Sequence, residues 1–404
     1  MRTYLRALVM VTGMGLMACD GSGTDPVTDA ALFRLSETLD LDLSNPMNYS
    51  DPSYPDHYSG RTLDDDNAPP SNPVTDEGAT LGRVLFFDKA LSVNWTISCS
   101  SCHEQSLGFT DSKRFSIGFE GDETGKHSMR LANANFFTGE HMFWDRRAEN
   151  LEDQALQPVM DGVEMGFDAD AGGLDELVSR LEGTGYYRIL FEWAFGSAGI
   201  SVTRMRNALA QYVRSIVSTG SRFDEGLEEI GGGPGPGPGA GQGGGRGEGR
   251  GGGRGGRPGT IGDLPTLSQV ENLGLRLFTE RSPRGAGCAG CHEIPTFALD
   301  ANEGSNGLDA GQTVVFKSPS LKNVAITGPY MHDGRFATLL EVVEHYNSGV
   351  QGGPALDRRL RGRGGQPGRL NLTEVEKNAM VAFLGTLTDF DLLADPRFSD
   401  PFIH

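Results

Sequence analysis

Two short stretches far apart in the chain constrain it most: Cys99-Ser100-Ser101-Cys102-His103 and Cys288-Ala289-Gly290-Cys291-His292. Cys-x-x-Cys-His is the attachment pattern of c-type haem, in which two thiols add to the vinyl groups and the adjacent imidazole is an axial iron ligand. The spacing has a mechanical basis. Two intervening residues let both sulfurs reach one edge of the porphyrin, and the next residue turns its imidazole toward the iron. A Cys-x-x-Cys pair alone also suits a redox dithiol or half a zinc site. Here the two motifs use four of the five Cys in the chain, which leaves those alternatives poor. The residues read as a dihaem cytochrome with two covalently bound haem c, one on Cys99, Cys102 and His103, the other on Cys288, Cys291 and His292.

The rest of the chain narrows the class. Its 404 residues are enough for two domains. A net charge of −19 argues against nucleic acid as a partner and favours a basic one. The N-terminus reads as a targeting segment, with Arg2 and Arg6 ahead of the apolar run from Ala7 to Met17. It closes on Leu16-Met17-Ala18-Cys19, which resembles the bacterial lipobox and implies cleavage before Cys19 and its lipidation; an ordinary secretory signal with an incidental Cys is the alternative. Either way the expected location is the periplasmic side of a bacterial membrane, held there through a lipid anchor only, which suits covalent haem. One Cys for lipid and two per haem leave none for a disulfide.

The expected organisation has five parts. Residues 1–18 form the signal peptide. Residues 19–75, rich in Asp, Pro, Ser and Asn, read as a tether with some ordered turns, with Tyr54, His57 and Tyr58 either packed or solvated. Residues 76–230 and 261–404 each carry one haem motif. Between them, 231–260 is almost all Gly with Pro and interspersed Arg, a disordered linker or insertion that cannot hold a core. Helical spacing is expected near 81–90, 151–159, 174–181, 202–217 and 372–387, with capping boxes at Ser268/Glu271 and Thr373/Glu376. An internal repeat ties the halves together. Leu81-Gly82-Arg83-Val84-Leu85-Phe86 precedes the first motif and Leu273-Gly274-Leu275-Arg276-Leu277-Phe278 the second; Phe109-Thr110-Asp111 stands against Phe297-Ala298-Leu299-Asp300. The fold class expected is all-α: two tandem cytochrome c-like domains with a disordered Gly-rich insertion.

Further motifs carry a resemblance. Phe143-Trp144-Asp145-Arg146-Arg147-Ala148, Leu151 through Pro158, and Val163-Glu164-Met165-Gly166 resemble the bacterial dihaem cytochrome c peroxidase family, which also contains MauG. So do Ser318 through Ala325, Gly328 through Gly334, and His345-Tyr346-Asn347-Ser348-Gly349, so that the likeness spans about residues 78 to 390, interrupted by the Gly-rich stretch. The resemblance implies that the haem on His103 is peroxidatic and that the haem on His292 receives electrons. It places Gln154 and Glu164 in the distal pocket and Trp144 between the haems. It also implies that the carbonyls of Thr327 and Pro329 help hold one interdomain calcium. Chemistry agrees for Glu164: cleaving a peroxide needs a group that takes a proton from one oxygen and returns it to the other, and a carboxyl in apolar surroundings can do both. By residue type alone, a loop Glu is otherwise a surface group and a Trp core packing.

Two departures matter. Several family members carry a displaceable His over the peroxidatic haem; here that place falls near Phe119. His127 is the alternative for that role, but it stands where the family usually has Asn beside the calcium. An open iron on the His103 haem is therefore expected, and the calcium site is weakened. On the other haem, peroxidases of the family commonly use a Met; the matching position is Tyr346, as in MauG, with Met331 and Met380 as alternatives and core packing the other role for the Tyr. The leading expectation is an enzyme reducing hydrogen peroxide to water with electrons from a small cytochrome or cupredoxin. MauG-like oxidation of a partner protein and a non-catalytic electron carrier are the alternatives.

Overall fold

The computed structural model describes residues 29–139, 141–231, 261–281, 285–299 and 304–404. The signal peptide, Cys19 and almost all of the Gly-rich stretch lie outside the described residues. The chain is helix-rich. Among the described residues the strands are one antiparallel two-residue pair, His292–Glu293 against Ala298–Leu299.

The repeated text marks the two places where helices cross closely. Asp76–Phe87 packs on Val202–Ser215, and Gln269–Thr279 packs on Glu374–Gly385. A Cβ on Gly82 would lie 2.0 Å from the Ala208 carbonyl oxygen, and a Cβ on Gly274 would lie 2.0 Å from that of Ala379. Each glycine is thus required by backbone contact, and the same apolar stripe surrounds both. Phe86 packs at a tilt against Tyr212 at 5.1 Å in the first crossing, and Phe278 against Phe383 at 5.2 Å in the second. The capping boxes at Ser268/Glu271 and Thr373/Glu376 are present and start the second pair.

Each crossing centres a separate apolar cluster. One gathers Leu81, Leu85, Leu177, Leu190 and Leu209; the other gathers Phe223, Leu275, Phe278, Phe297 and Phe383. Three of the longer helices escape the sequence periodicity. Asp29–Thr38 falls in the stretch read as a tether, Tyr186–Phe195 is apolar around most of its circumference and therefore shows no stripe, and Arg222–Glu229 is short. The expected helix over 151–159 is two short ones, Leu151–Gln154 and Gln157–Met160, with Pro158 in the first turn of the second.

The reading of 19–75 as a tether is corrected from residue 29 onward. Leu35, Leu39, Tyr49, His57 and Tyr58 are all buried. These residues are too sparse to make a periodic pattern, yet each docks into a surface built by the rest of the chain. The Asp76 carboxylate accepts from the Tyr49 and Ser50 amides at 2.7 and 2.8 Å, and Tyr49 donates to the Arg397 carbonyl at 2.6 Å. Leu39 bridges Phe402. Leu392 and Phe398, near the C-terminus, also pack in the first cluster.

Candidate functional site

At the first motif the chain makes a tight turn, Cys99–Ser101, with the His103 amide donating to the Cys99 carbonyl at 3.0 Å. His103 Nδ1 faces the Phe109 carbonyl at 3.0 Å and Ser128 Oγ at 3.2 Å. The carbonyl fixes the proton on Nδ1 and leaves Nε2 as a lone-pair donor. Burial pushes the imidazole below its usual range, so it is neutral and fit to bind a metal. Burial raises Cys99 to about 12 and Cys102 to about 11, which keeps both as thiols. The second motif repeats the arrangement. Cys288–Gly290 forms the turn, Phe278 lies 6.3 Å from the His292 ring as Phe86 lies 6.4 Å from His103, and burial takes His292 down to about 4. His292 Nδ1 is buried with no hydrogen-bond partner. None of the four motif cysteines is in a disulfide among the described residues. Two thiols on one turn, followed by a neutral imidazole with an unshared nitrogen, fit covalent haem at both places.

Glu164 belongs to the Cys99 turn. Its charge is felt at both Cys99 and Cys102, and its carboxyl is raised by burial and by Asp161 against the opposing pull of Arg147 and Lys126. Asp161 holds the loop, accepting from the Val163 and Glu164 amides at 2.8 and 3.1 Å. Phe119 closes against it: its amide donates to the Glu164 carbonyl at 3.1 Å and its ring covers Gly166, whose φ of +84° and lack of a Cβ make room. His127 is committed elsewhere, with Nδ1 at 3.1 Å from the Lys113 carbonyl and Nε2 at 3.3 Å from Thr110 Oγ1. Gln154 ends its short helix and lines a narrow pocket with Met129, Phe143 and Lys317.

Trp144 sits where the halves meet. Its indole donates to the His127 carbonyl at 2.7 Å and faces the His332 ring at 6.5 Å. Two backbone bonds are exchanged reciprocally around it, His127 to the His332 carbonyl and Lys317 to the Trp144 carbonyl, both at 2.9 Å. The repeat is therefore more extensive than the motifs alone suggest. The Met142–Ala148 bridge matches the Tyr330–Phe336 bridge, Asp145 pairs with Arg147 as Asp333 does with Arg335, and Trp144 and His332 occupy equivalent positions. Sequence reasoning gave His332 no role beyond its place in the Gly328–Gly334 motif; the repeated Asp-x-Arg would have revealed its equivalence to Trp144.

Tyr346 lies in a five-residue π-turn, His345–Gly349. Its phenol is raised well above its usual range by burial, and the Cys291 and Cys288 thiols act on it in the same direction. The structure thus brings Tyr346 to the second motif. Met380 is part of the second apolar core; Met331 Sδ lies 3.5 Å from Asn306 Nδ2. Thr327 is buried, its hydroxyl donating to the Val324 carbonyl at 3.2 Å. Among the described residues no three His, Cys, Asp or Glu side chains gather as a metal cluster, so a calcium here depends on the Thr327 and Pro329 carbonyls.

Comparison with known proteins points to one family. The di-haem cytochrome c peroxidase family profile matches residues 76–230. The methylamine utilization protein MauG of Methylophilus methylotrophus is 30% identical over 333 residues, covering 79% of this chain and 85% of that protein. The cytochrome c551 peroxidase of Nitrosomonas europaea is 30% identical over 339 residues, covering 79% and 83%. Among solved structures, a MauG-like protein associated with microbial copper homeostasis superposes with a TM-score of 0.64 at 30% identity, over 88% of this chain and 99% of that one.

Proposed function

The chain belongs to the di-haem cytochrome c peroxidase family and is an oxidoreductase; from that premise we propose that it reduces hydrogen peroxide to water at a haem on Cys99, Cys102 and His103, with electrons arriving through a second haem on Cys288, Cys291 and His292. The two apolar clusters support a division into two cytochrome c-like units, each carrying one motif. When bound, haem supplies the iron at which the O–O bond breaks and the capacity to hold electrons. The chain's own residues supply position and protons. Glu164 takes a proton from one peroxide oxygen and returns it to the other, a role that suits a carboxyl raised above its usual range by burial. Gln154 orients the peroxide with its carboxamide, and Trp144 lies on the route between the haems.

The observation that carries this reading is the raised Glu164 carboxyl beside the Cys99–Cys102 turn, with both ring nitrogens of His127 engaged elsewhere. A second reading, MauG-like oxidation of a partner protein, is favoured by the placement of Tyr346 at the second motif. The test is steady-state peroxide consumption against reduced small cytochromes and cupredoxins. Donor-driven turnover supports the peroxidase reading; peroxide-dependent oxidation of a partner without donor turnover supports the second. A protein whose absorption spectrum does not respond to peroxide would overturn both.

Export to the periplasmic side with Cys19 as the lipid anchor is part of the proposal. Haem attachment to the four thiols supports export, and no helix of the described residues is long and apolar enough to cross a membrane. So is a calcium on the Thr327 and Pro329 carbonyls, tested by metal analysis before and after chelation.

A further inference from the structure

Among the described residues Arg130 is a cation without a counter-ion. Its guanidinium hydrogen-bonds there to carbonyls, Nε to Ser320 and Nη2 to Pro319 at 3.3 Å, and no carboxylate is among the groups that act on its charge. Burial pushes it down to about 10, so it is still charged at neutral pH. A desolvated, unpaired charge is costly, and chains retain one where something else supplies the opposite sign. Arg130 also lines the narrow pocket between the halves, where Met129 and Arg130 of the first repeat meet Ser318, Pro319 and Ser320 of the second. Its charge is felt at His292, across that junction.

We propose that Arg130 is the partner of a carboxylate of the haem on His292, holding a propionate of the second haem from the first repeat. The inference rests on the dihaem reading above and extends it. A planar guanidinium with unused donors matches a carboxylate bidentately, and Arg130 lines the pocket between the halves. The second haem is then tied to both halves, and Arg130 cancels a negative charge beside its iron. With that charge cancelled the ferrous state is less disfavoured, so the residue raises the potential of this haem.

The experiment is a spectroelectrochemical titration of wild type, Arg130→Gln and Arg130→Lys, with pyridine haemochrome counting of haem. Two haems per chain in every protein verifies the reading the inference rests on; fewer than two in the wild type removes that reading itself. With two haems present, Arg130→Gln should lower the potential of the low-spin haem by about 59 mV, a tenfold change in its one-electron equilibrium. The high-spin haem should stay within a small fraction of that. Arg130→Lys keeps the charge and should hold the low-spin potential near wild type. An unmoved low-spin potential in Arg130→Gln, a shift confined to the high-spin haem, or a fall in Arg130→Lys as large as tenfold overturns the assignment. Where Arg130→Gln fails to accumulate, Arg130→Met is titrated in its place and decides by the same criterion.

Discussion

Trp144 and His332 meet edge to face across the junction of the two halves, ring centroids 6.5 Å apart and planes at 62°. They occupy equivalent positions in the repeat, so a near-symmetric interface carries an oxidisable indole on one side and an imidazole on the other. The imidazole is held below its usual range, chiefly by burial, and stacks on Phe316 at 3.8 Å. A neutral ring there places no positive charge beside the indole, whose N–H is capped by a carbonyl.

Trp144→Phe should therefore keep both haems and the fold while slowing communication between them. Rapid mixing with peroxide is the measurement: the absorption change at the His103 haem should persist and the change at the His292 haem should lag behind it. Simultaneous changes in the variant would remove Trp144 from the route.

Glu164→Gln should lower peroxide turnover by about two to four orders of magnitude, the range for a general acid–base group, with haem content unchanged. Stability should move the other way. A carboxyl raised in the folded state lends stability only below its unfolded pKa and loses it as pH rises through the folded value. At neutral pH the Gln variant should thus melt at the same temperature or higher, and the gap should close on acidification. A variant that melts clearly lower at pH 7 while turning over normally contradicts both roles.

Lys322 and Asp224 test the junction itself. Both are buried, with Lys322 Nζ 2.6 Å from Asp224 Oδ1 and His57 of the N-terminal segment 3.1 Å from the same oxygen. Burial alone would raise the Asp224 carboxyl; Lys322 and His57 outweigh it and hold the group below its usual range. This stability is present above the unfolded carboxylate pKa and is lost as pH falls through the lowered one. Lys322→Met should cost about 3–5 kcal/mol in denaturant unfolding, because it strands a buried charge. Adding Asp224→Asn should recover part of that.

What the sequence disclosed follows from which forces leave a pattern in it. The haem motifs and the Gly82 and Gly274 crossings are local spacings imposed by covalent geometry and backbone contact, so they are readable in a few residues. The burial of Tyr49 and Tyr58 is not, because isolated aromatics in an Asp- and Pro-rich stretch dock onto distant partners such as Arg397 and Ser218. The Trp144–His332 pairing was half visible: the Asp-x-Arg repeat was in the text, but the reciprocal hydrogen bonds that make it an interface arise only in three dimensions. Arg130 left no signal, since an unpaired cation is defined by what surrounds it.

Gly82→Ala and Gly274→Ala should each destabilise. The gain in helix propensity is about 1 kcal/mol, while forcing a Cβ to 2.0 Å from a backbone carbonyl oxygen pushes two helices apart, at about 1–3 kcal/mol for overpacking in general and at the upper end for contact this close. The crossings lie in different clusters, so the two effects should add within about 0.5 kcal/mol in denaturant unfolding. Either variant matching wild type would mean that the crossing is looser than these distances.

The last prediction concerns Tyr346 and separates the two enzyme readings. Axial ligand identity is a major lever on haem potential. A thioether favours ferrous iron and raises the potential; a phenolic oxygen is harder, favours higher oxidation states and lowers it. Tyr346 lies where the Cys288 and Cys291 thiols act on its phenol, while Met380 is committed to core packing. If Tyr346 is the ligand, the His292 haem is a poorer acceptor from a cytochrome donor and better suited to share oxidising equivalents with the His103 haem through Trp144. The wild type should then lack the near-infrared band of Met-ligated ferric haem, and Tyr346→Phe should change the low-spin spectrum without loss of haem. Tyr346→Met should raise the low-spin potential and introduce that band. A Met-type band in the wild type, together with a spectrally silent Tyr346→Phe, would assign the ligand to Met331 or Met380 and leave the donor-driven peroxidase as the reading that stands.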